Sequence, residues 1–232
     1  MTTRVKLEPI YILHRKQFRE SSYIVDILSE NYGKIRAITR LNTKHKKALI
    51  QPFTPIYASW TIKNELATLQ EIEARTLAPM LSGEKIMCGF YINEITMKTT
   101  TFHDPAPKLF EAYNTALYNL AKSENVAIEL RIFEKNLLDE IGYGIPFAEL
   151  INSDEKFPWY TYSGQYGFIG SHTQCRFSIA YNTLYDLYNN SIASVSAARE
   201  CKILLQTALQ PVIKKFDIKT RLCWATNTSE GK

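Results

Sequence analysis

The residues best suited to chemistry are basic and lie close together in the N-terminal part of the chain. Six lysines and arginines fall between residues 34 and 47: Lys34, Arg36, Arg40, Lys44, Lys46 and Lys47. Lysine and arginine neutralise phosphates, and arginine adds planar contacts to phosphates or bases. The pattern therefore indicates a surface for a polyanion, with a solvated face that only keeps the protein soluble as the alternative.

The positive charge is concentrated at one end of the chain. Residues 1–47 hold eleven Lys and Arg against four Asp and Glu, whereas residues 48–232 hold seventeen against nineteen. This asymmetry favours a nucleic-acid partner for the N-terminal part. Arg15 and Arg19 belong to the same basic part and join the candidate contacts. Phe18 and Tyr32, beside polar turns, are the preferred candidates for stacking on bases.

Signatures of catalysis and of metal binding are sparse. The four histidines are scattered along the chain. Phosphate-binding glycine loops, the serine-nucleophile motif and the zinc-peptidase motif do not occur. The four cysteines (Cys88, Cys175, Cys201 and Cys223) form no C-x-x-C pair, which predicts buried, small hydrophobic residues. We therefore expect no catalytic residues, no metal site and no cofactor.

The secondary-structure elements that must position the basic residues are predicted to form a small β-barrel. Five short strands are predicted within residues 8–75: Ile10–His14, Tyr23–Leu28, Lys34–Arg40, Ile56–Ile62 and Leu66–Ala74. The longest connection follows the third strand, and Lys44–Lys47 is predicted there as a mobile polar loop that closes over a bound strand. The five-stranded OB-fold fits this spacing best, with an open five-stranded sheet or an SH3-like barrel as alternatives.

The hydrophobic period changes from 2 to 3.6 after residue 80, which predicts helices. They are expected at about 84–101, along the stripe from Leu109 to Leu120, from Leu130 to Ile141, at Ile179–Tyr188 and from Val195 onwards. Residues 147–180 are rich in Tyr, Gly and Ser and are predicted as a β-like insert. We thus expect an α+β protein with a five-stranded OB-fold barrel at 1–80 and a mostly helical domain at 81–232, with its insert at about 147–180.

The composition also bears on location. No run of about 18 apolar residues occurs, so no membrane-spanning helix is expected. The first residues, MTTRVKLEPI, lack the apolar core of a secretory signal. A cytoplasmic protein with no membrane partner is therefore predicted.

Four segments of the chain carry recognisable motifs: Phe18–Val25, Leu49–Ile56, Tyr91–Glu94 and Leu130–Pro146. Together they resemble the bacterial RecO family of recombination mediators. In order, they are similar to the family's E-x-S segment, its L-Q-P-F-T-P-L signature, its Y-x-N-E helix and its R-x-F-E…L-G-Y-G segment. The resemblance covers nearly the whole chain and implies an N-terminal OB-fold followed by a helical domain.

The same resemblance implies a non-catalytic role in recombinational repair at the nucleoid. It implies binding of single- and double-stranded DNA, annealing of complementary strands, and work with RecR to load RecA. It also implies docking of the acidic C-terminal tail of single-stranded-DNA-binding protein, with Arg131, Arg199 and Lys202 at the positions of that pocket's cations. Some members carry a four-cysteine zinc site in the insert, where this chain has only Cys175. A protein-interaction adaptor with incidental DNA affinity and an OB-fold nuclease are the alternatives.

Overall fold

The computed structural model describes residues 3–40, 43–63 and 66–220. The chain forms two compact units, Met1–Ala121 with Thr220–Lys232, and Lys122–Lys219. The predicted α+β class is confirmed, whereas the domain bounds of 1–80 and 81–232 stay a prediction. The expectation for Cys223 lies outside the described residues.

Five strands form a closed barrel in the first unit. They are β1 (Thr3–Arg19), β2 (Ser22–Ser29), β3 (Gly33–Arg40), β4 (Ile56–Lys63) and β5 (Leu66–Ala74). Their order around the barrel is β1-β2-β3-β5-β4, and β3 and β5 run parallel. Inward-facing side chains such as Ile27, Ile35 and Trp60 fill the interior. The prediction of a five-stranded OB-like barrel is therefore confirmed.

A bulge in β1 changes which of its side chains face outward. Ile10 and Ile12 point into the core. The pairing with β2 then shifts between Ile12 and His14, so that one extra residue lies between them. Beyond this point Arg15 lies opposite an inward residue of β2, whereas Lys16 lies opposite an outward one. Strict alternation along the strand would have placed the two cations the other way round.

The connection between β3 and β4 contains a short helix, α1 (Lys44–Leu49), so the prediction of a mobile loop is wrong. Thr43 begins the helix, because its hydroxyl oxygen accepts a hydrogen bond from the Lys46 N–H at 3.2 Å. At the other end, the Arg15 Nη1 donates to the Ile50 carbonyl at 3.1 Å. A cation is favourable beside the carbonyls of a helix C-terminus. Lysine, alanine and leucine are good helix formers, so the local sequence supports this helix.

Two further helices of the first unit, α2 (Glu84–Thr99) and α3 (Pro107–Lys122), are joined to β1 by a buried polar network. The Tyr113 hydroxyl donates to Asn93 Oδ1 at 2.6 Å, and Asn93 Nδ2 donates to the Leu13 carbonyl at 2.9 Å. Tyr11 packs on Tyr113 with ring centroids 4.9 Å apart. Burial raises the pKa of Tyr113 well above its ordinary value. The network therefore ties the barrel wall to both helices.

Replacing Tyr113 by phenylalanine is expected to lower the free energy of unfolding by about 1–3 kcal/mol near neutral pH, because Asn93 loses a buried donor. Because burial raises the pKa of Tyr113, the folded state keeps the hydroxyl protonated where the unfolded state ionises it. The stability contributed by the neutral hydroxyl is therefore fully present below pH 10.0 and is lost as the pH rises further. The variant lacks that titration and should lose less stability on the alkaline side. Urea unfolding at about pH 8 and about pH 11 measures both effects.

The control for this pair of measurements is Tyr166→Phe, which removes a hydroxyl from a tyrosine that is 71% exposed. It should unfold like the wild type at both pH values. Equal alkaline losses in the wild type and the Tyr113 variant would contradict the assignment.

The second unit is mostly helical and includes a small sheet. Its helices are α4 (Val126–Glu140), α5 (Phe147–Ile151), α6 (Tyr181–Tyr188) and α7 (Val195–Phe216). Its strands are β6 (Trp159–Ser163), β7 (Gly167–Ser171) and β8 (Ile179–Ala180), in the order β7-β6-β8. The predicted insert at 147–180 thus begins with α5 and continues as a hairpin with one added strand. In the same unit, α4 packs against α7. Within the described ranges, no helix is long and apolar enough to cross a membrane.

Candidate nucleic-acid interface

The outward sides of β1, β2 and β3 form the candidate nucleic-acid surface, which we name the strand face. Its members are paired across the strands and point away from the barrel core: His14, Lys16, Ile24, Asp26, Arg36, Ile38 and Arg40. Adjacent strands lie about 5 Å apart, so the strand face is about 10 Å wide. Lys16, Arg36 and Arg40 are all exposed on it, and the face can therefore approach a phosphate backbone.

Two half-buried isoleucines lie between these cations. Ile24 is paired with Lys16 on one side and with Ile38 on the other. The result is an apolar strip with positive charge around it. Single-stranded nucleic acid has apolar base faces and anionic phosphates, so its chemistry matches both parts of this surface.

Arg36 is held by an acidic neighbour on the adjacent strand. Its Nε donates to Asp26 Oδ1 at 2.7 Å and its Nη2 donates to Asp26 Oδ2 at 3.2 Å. The Asp26 side chain is only 7% exposed, whereas that of Arg36 is 53% exposed. The hydrogen bond to Asp26 raises the pKa of Arg36. Because the carboxylate offsets its charge, Arg36 adds less net positive charge to the strand face than Lys16 or Arg40, but its guanidinium plane is fixed.

Lys34 was also predicted as a nucleic-acid contact, but the structure buries it. Its Nζ donates to the Met97 carbonyl at 2.6 Å and to the Thr100 carbonyl. These carbonyls end α2, where a cation is favourable. Burial lowers the pKa of Lys34. Lys34 therefore stabilises the end of α2, and we leave it out of the strand face.

The remaining predicted cations of the first unit differ in their surroundings. Arg15 is half-buried at the end of α1, whereas Lys16 is exposed on the strand face. The sequence pattern favoured Arg15 because the bulge that turns Lys16 outward is not visible in it. Arg19 is exposed at the end of β1, 5.3 Å from the centre of the exposed Phe18 ring. On α1, Lys44 and Lys47 are exposed and Lys46 is half-buried.

Tyr32, the second residue predicted to stack on bases, packs against the barrel core. Its ring packs edge-on against Trp60 with centroids 5.6 Å apart. Trp60 is fully buried in the barrel core. Tyr32 therefore covers a core residue and is 37% exposed.

The three cations predicted for an acidic tail differ in burial and in surroundings. Arg131 is 7% exposed, and its Nη2 donates to the buried Glu134 Oε1 at 2.9 Å. Arg199 and Lys202 are exposed on α7. Arg199 lines an open cavity of about 460 Å³, and Arg131 does not. Another arginine, Arg176, lines the cavity and was missed by sequence reasoning, because it lies in the insert, far from α7 in the chain.

The described cysteines divide into two kinds. Cys88 and Cys201 are buried as predicted, and burial raises the pKa of Cys201 to about 12. The prediction is wrong for Cys175, which is exposed beside Arg176 in the cavity. Among the residues that the structure describes, no group of three or more His, Cys, Asp or Glu could hold a metal ion.

Comparisons with known proteins cover both units. The family model described as Recombination protein O N terminal matches residues 4–77, and the one described as Recombination protein O C terminal matches residues 80–185. A DNA repair protein RecO of Coxiella burnetii is 33% identical in an alignment that covers 95% of this chain and 98% of the relative. The relative from Nitrosococcus oceani is 33% identical over 94% of this chain and 92% of its own length. By these matches, the chain belongs to the RecO family of DNA repair proteins.

Proposed function

We propose that this chain binds single- and double-stranded DNA through the strand face and anneals complementary strands. The observation that supports this most is the exposed Lys16 and Arg40 around the half-buried pair Ile24 and Ile38, in a family of DNA repair proteins. OB-fold barrels use their second and third strands for such binding. The exposed lysines of α1 follow directly after β3 and extend the positive charge.

The protein acts as a non-catalytic mediator within this proposal. It works with RecR in the cytoplasm, at the nucleoid, and helps to load RecA on strands coated by single-stranded-DNA-binding protein. The test measures the annealing of two complementary labelled oligonucleotides, which is monitored by fluorescence energy transfer between the labels. The wild type should accelerate annealing, and a Lys16→Ala, Arg40→Ala variant should accelerate it less. Unchanged annealing by this variant would contradict the role of the strand face.

An acidic tail, that of single-stranded-DNA-binding protein, is proposed to dock at the cavity of the second unit. Arg176 and Arg199 supply two guanidinium groups there, and the half-buried Ile203 supplies an apolar wall. Lys202 lies three residues after Arg199 on α7 and adds charge on a neighbouring position. Guanidinium groups bind carboxylates in a planar, bidentate manner, and a cationic site beside an apolar wall fits an acidic peptide.

Reversal of one charge in this cavity is expected to weaken binding of such a peptide strongly. Arg199→Glu places a carboxylate where the peptide brings its own, so the dissociation constant should rise at least about tenfold, or about 1.4 kcal/mol. Fluorescence anisotropy of a labelled acidic peptide measures this. Lys214→Glu, at the far end of the same helix, is the matched control and should bind as the wild type does.

The second candidate function is an adaptor whose DNA affinity is incidental, and the cavity is the observation that favours it. The two candidates differ in the annealing assay. If the Lys16→Ala, Arg40→Ala variant still promotes annealing in the presence of the coating protein while Arg199→Glu does not, the adaptor is supported. If both variants fail, DNA binding by the strand face is required as well.

A further inference from the structure

A segment from outside the barrel is built onto β3, beside the strand face. Phe102, which follows α2 in the chain, forms a parallel β-bridge with Lys34. The His103 N–H donates to the Lys34 carbonyl at 2.9 Å. Gly33 has a φ of +65°, and a Cβ at this position would collide with the Asp104 carbonyl. These contacts fix the backbone of Phe102 beside β3.

The ring of Phe102 lies next to Arg36. The Arg36 Cζ is 5.2 Å from the ring centre, and the Lys34 Nζ is 4.4 Å from it. Cation–π contact with the ring adds to the two hydrogen bonds that Arg36 donates to Asp26. The guanidinium group is therefore held both by a carboxylate and by an aromatic ring.

Packing alone accounts for part of this arrangement. Phe102 covers the ammonium group of Lys34, and this explains the buried part of the ring. However, 39% of Phe102 stays exposed, and it borders the Arg36 side chain, which is 53% exposed. Two flat groups are thus open to solvent at the border of a surface that is otherwise charged and aliphatic.

We propose that Phe102 and Arg36 together form a platform on which an unpaired nucleobase stacks. The inference deepens the proposed DNA binding and rests on it. Bases stack on aromatic rings and on guanidinium planes, and a base in a duplex has both faces covered by its neighbours. The platform therefore gives the strand face a preference for single strands over duplex. It also changes the role of Arg36 from a phosphate contact to a stacking contact, since Asp26 already offsets its charge.

The test compares an oligothymidylate with an abasic oligonucleotide of the same length, which has the same phosphates but no bases. Phe102→Leu should raise the dissociation constant for oligothymidylate about tenfold and leave that for the abasic strand unchanged. The salt dependence should stay the same, because no charge is removed. Phe102→Trp should retain the affinity, and emission from the new tryptophan should fall as a base stacks on it.

The matched control is Phe90→Leu, which alters a phenylalanine of α2 that is 42% exposed and should bind both oligonucleotides as the wild type does. An equal loss for both oligonucleotides in Phe102→Leu would overturn the platform, and so would unchanged binding of oligothymidylate. Unquenched emission from Phe102→Trp on a bound strand would overturn it as well. If the wild type binds neither oligonucleotide, the proposed DNA binding fails and this inference with it.

Discussion

Replacing Arg131 by alanine is expected to lower the free energy of unfolding by about 3–5 kcal/mol, the range typical of breaking a buried ion pair. Arg131 is 7% exposed and Glu134 is fully buried. The Arg131 Nη2 donates to Glu134 Oε1 at 2.9 Å, one helical turn along α4. Without the guanidinium group, the Glu134 carboxylate loses this counter-charge in a medium of low dielectric constant. Urea unfolding followed by circular dichroism measures the loss.

A double replacement separates this effect from a role in binding. Arg131→Met combined with Glu134→Leu removes both charges and keeps a similar volume, so most of the stability should return. Because Arg131 does not line the cavity, this variant should also bind the acidic peptide with wild-type affinity. Lys202→Ala, at an exposed position, is the stability control and should change the free energy of unfolding by less than about 0.5 kcal/mol. A similarly small change in Arg131→Ala would contradict the structural role of the pair.

Alanine at Lys16, Arg40 and Lys44 together is expected to raise the dissociation constant for single-stranded DNA at least about tenfold at low salt, or about 1.4 kcal/mol. All three side chains are exposed, on the strand face or at the start of α1. Each is replaced without removing a buried contact, so the fold should persist. Anisotropy of a labelled oligonucleotide measures the change.

The matched control removes the same charge elsewhere in the first unit. Lys6, Lys63 and Lys108 are also exposed, and none of them belongs to the strand face. Their triple replacement by alanine should weaken binding much less. Equal losses in both triple variants would show that net charge, and not the strand face, determines the affinity.

The sequence pattern predicted the strands of the barrel well because each strand is encoded by the alternation of neighbouring residues. Alternation fixes which side chains of β3 face inward, and the long connection after β3 is visible in the spacing. The helix at Lys44–Leu49 was also accessible, because Thr43 is a favourable N-cap residue before a run of helix formers. The pair Arg131 and Glu134, three residues apart between apolar neighbours, likewise carried a signal of a buried ion pair.

The surroundings of several predicted site residues depend on contacts between distant parts of the chain. Burial of Lys34 requires the end of α2, more than sixty residues later. Lys16, and not Arg15, faces outward because of a bulge in β1, and no Gly, Pro or Asn in the sequence marks the position of that bulge. Arg176 and Arg199 line the same cavity only because the insert folds beside α7. A periodic pattern carries no information on such contacts, since each is set by tertiary packing.

The salt dependence of single-strand binding tests the strand face most directly. The logarithm of the affinity should fall linearly with the logarithm of the salt concentration, by about 0.7 for each phosphate neutralised on a single strand. We predict that the Lys16, Arg40 and Lys44 triple alanine variant has a slope smaller than that of the wild type by about 2. A wild-type slope in this variant, with a wild-type unfolding curve, would contradict the assignment of DNA binding to the strand face.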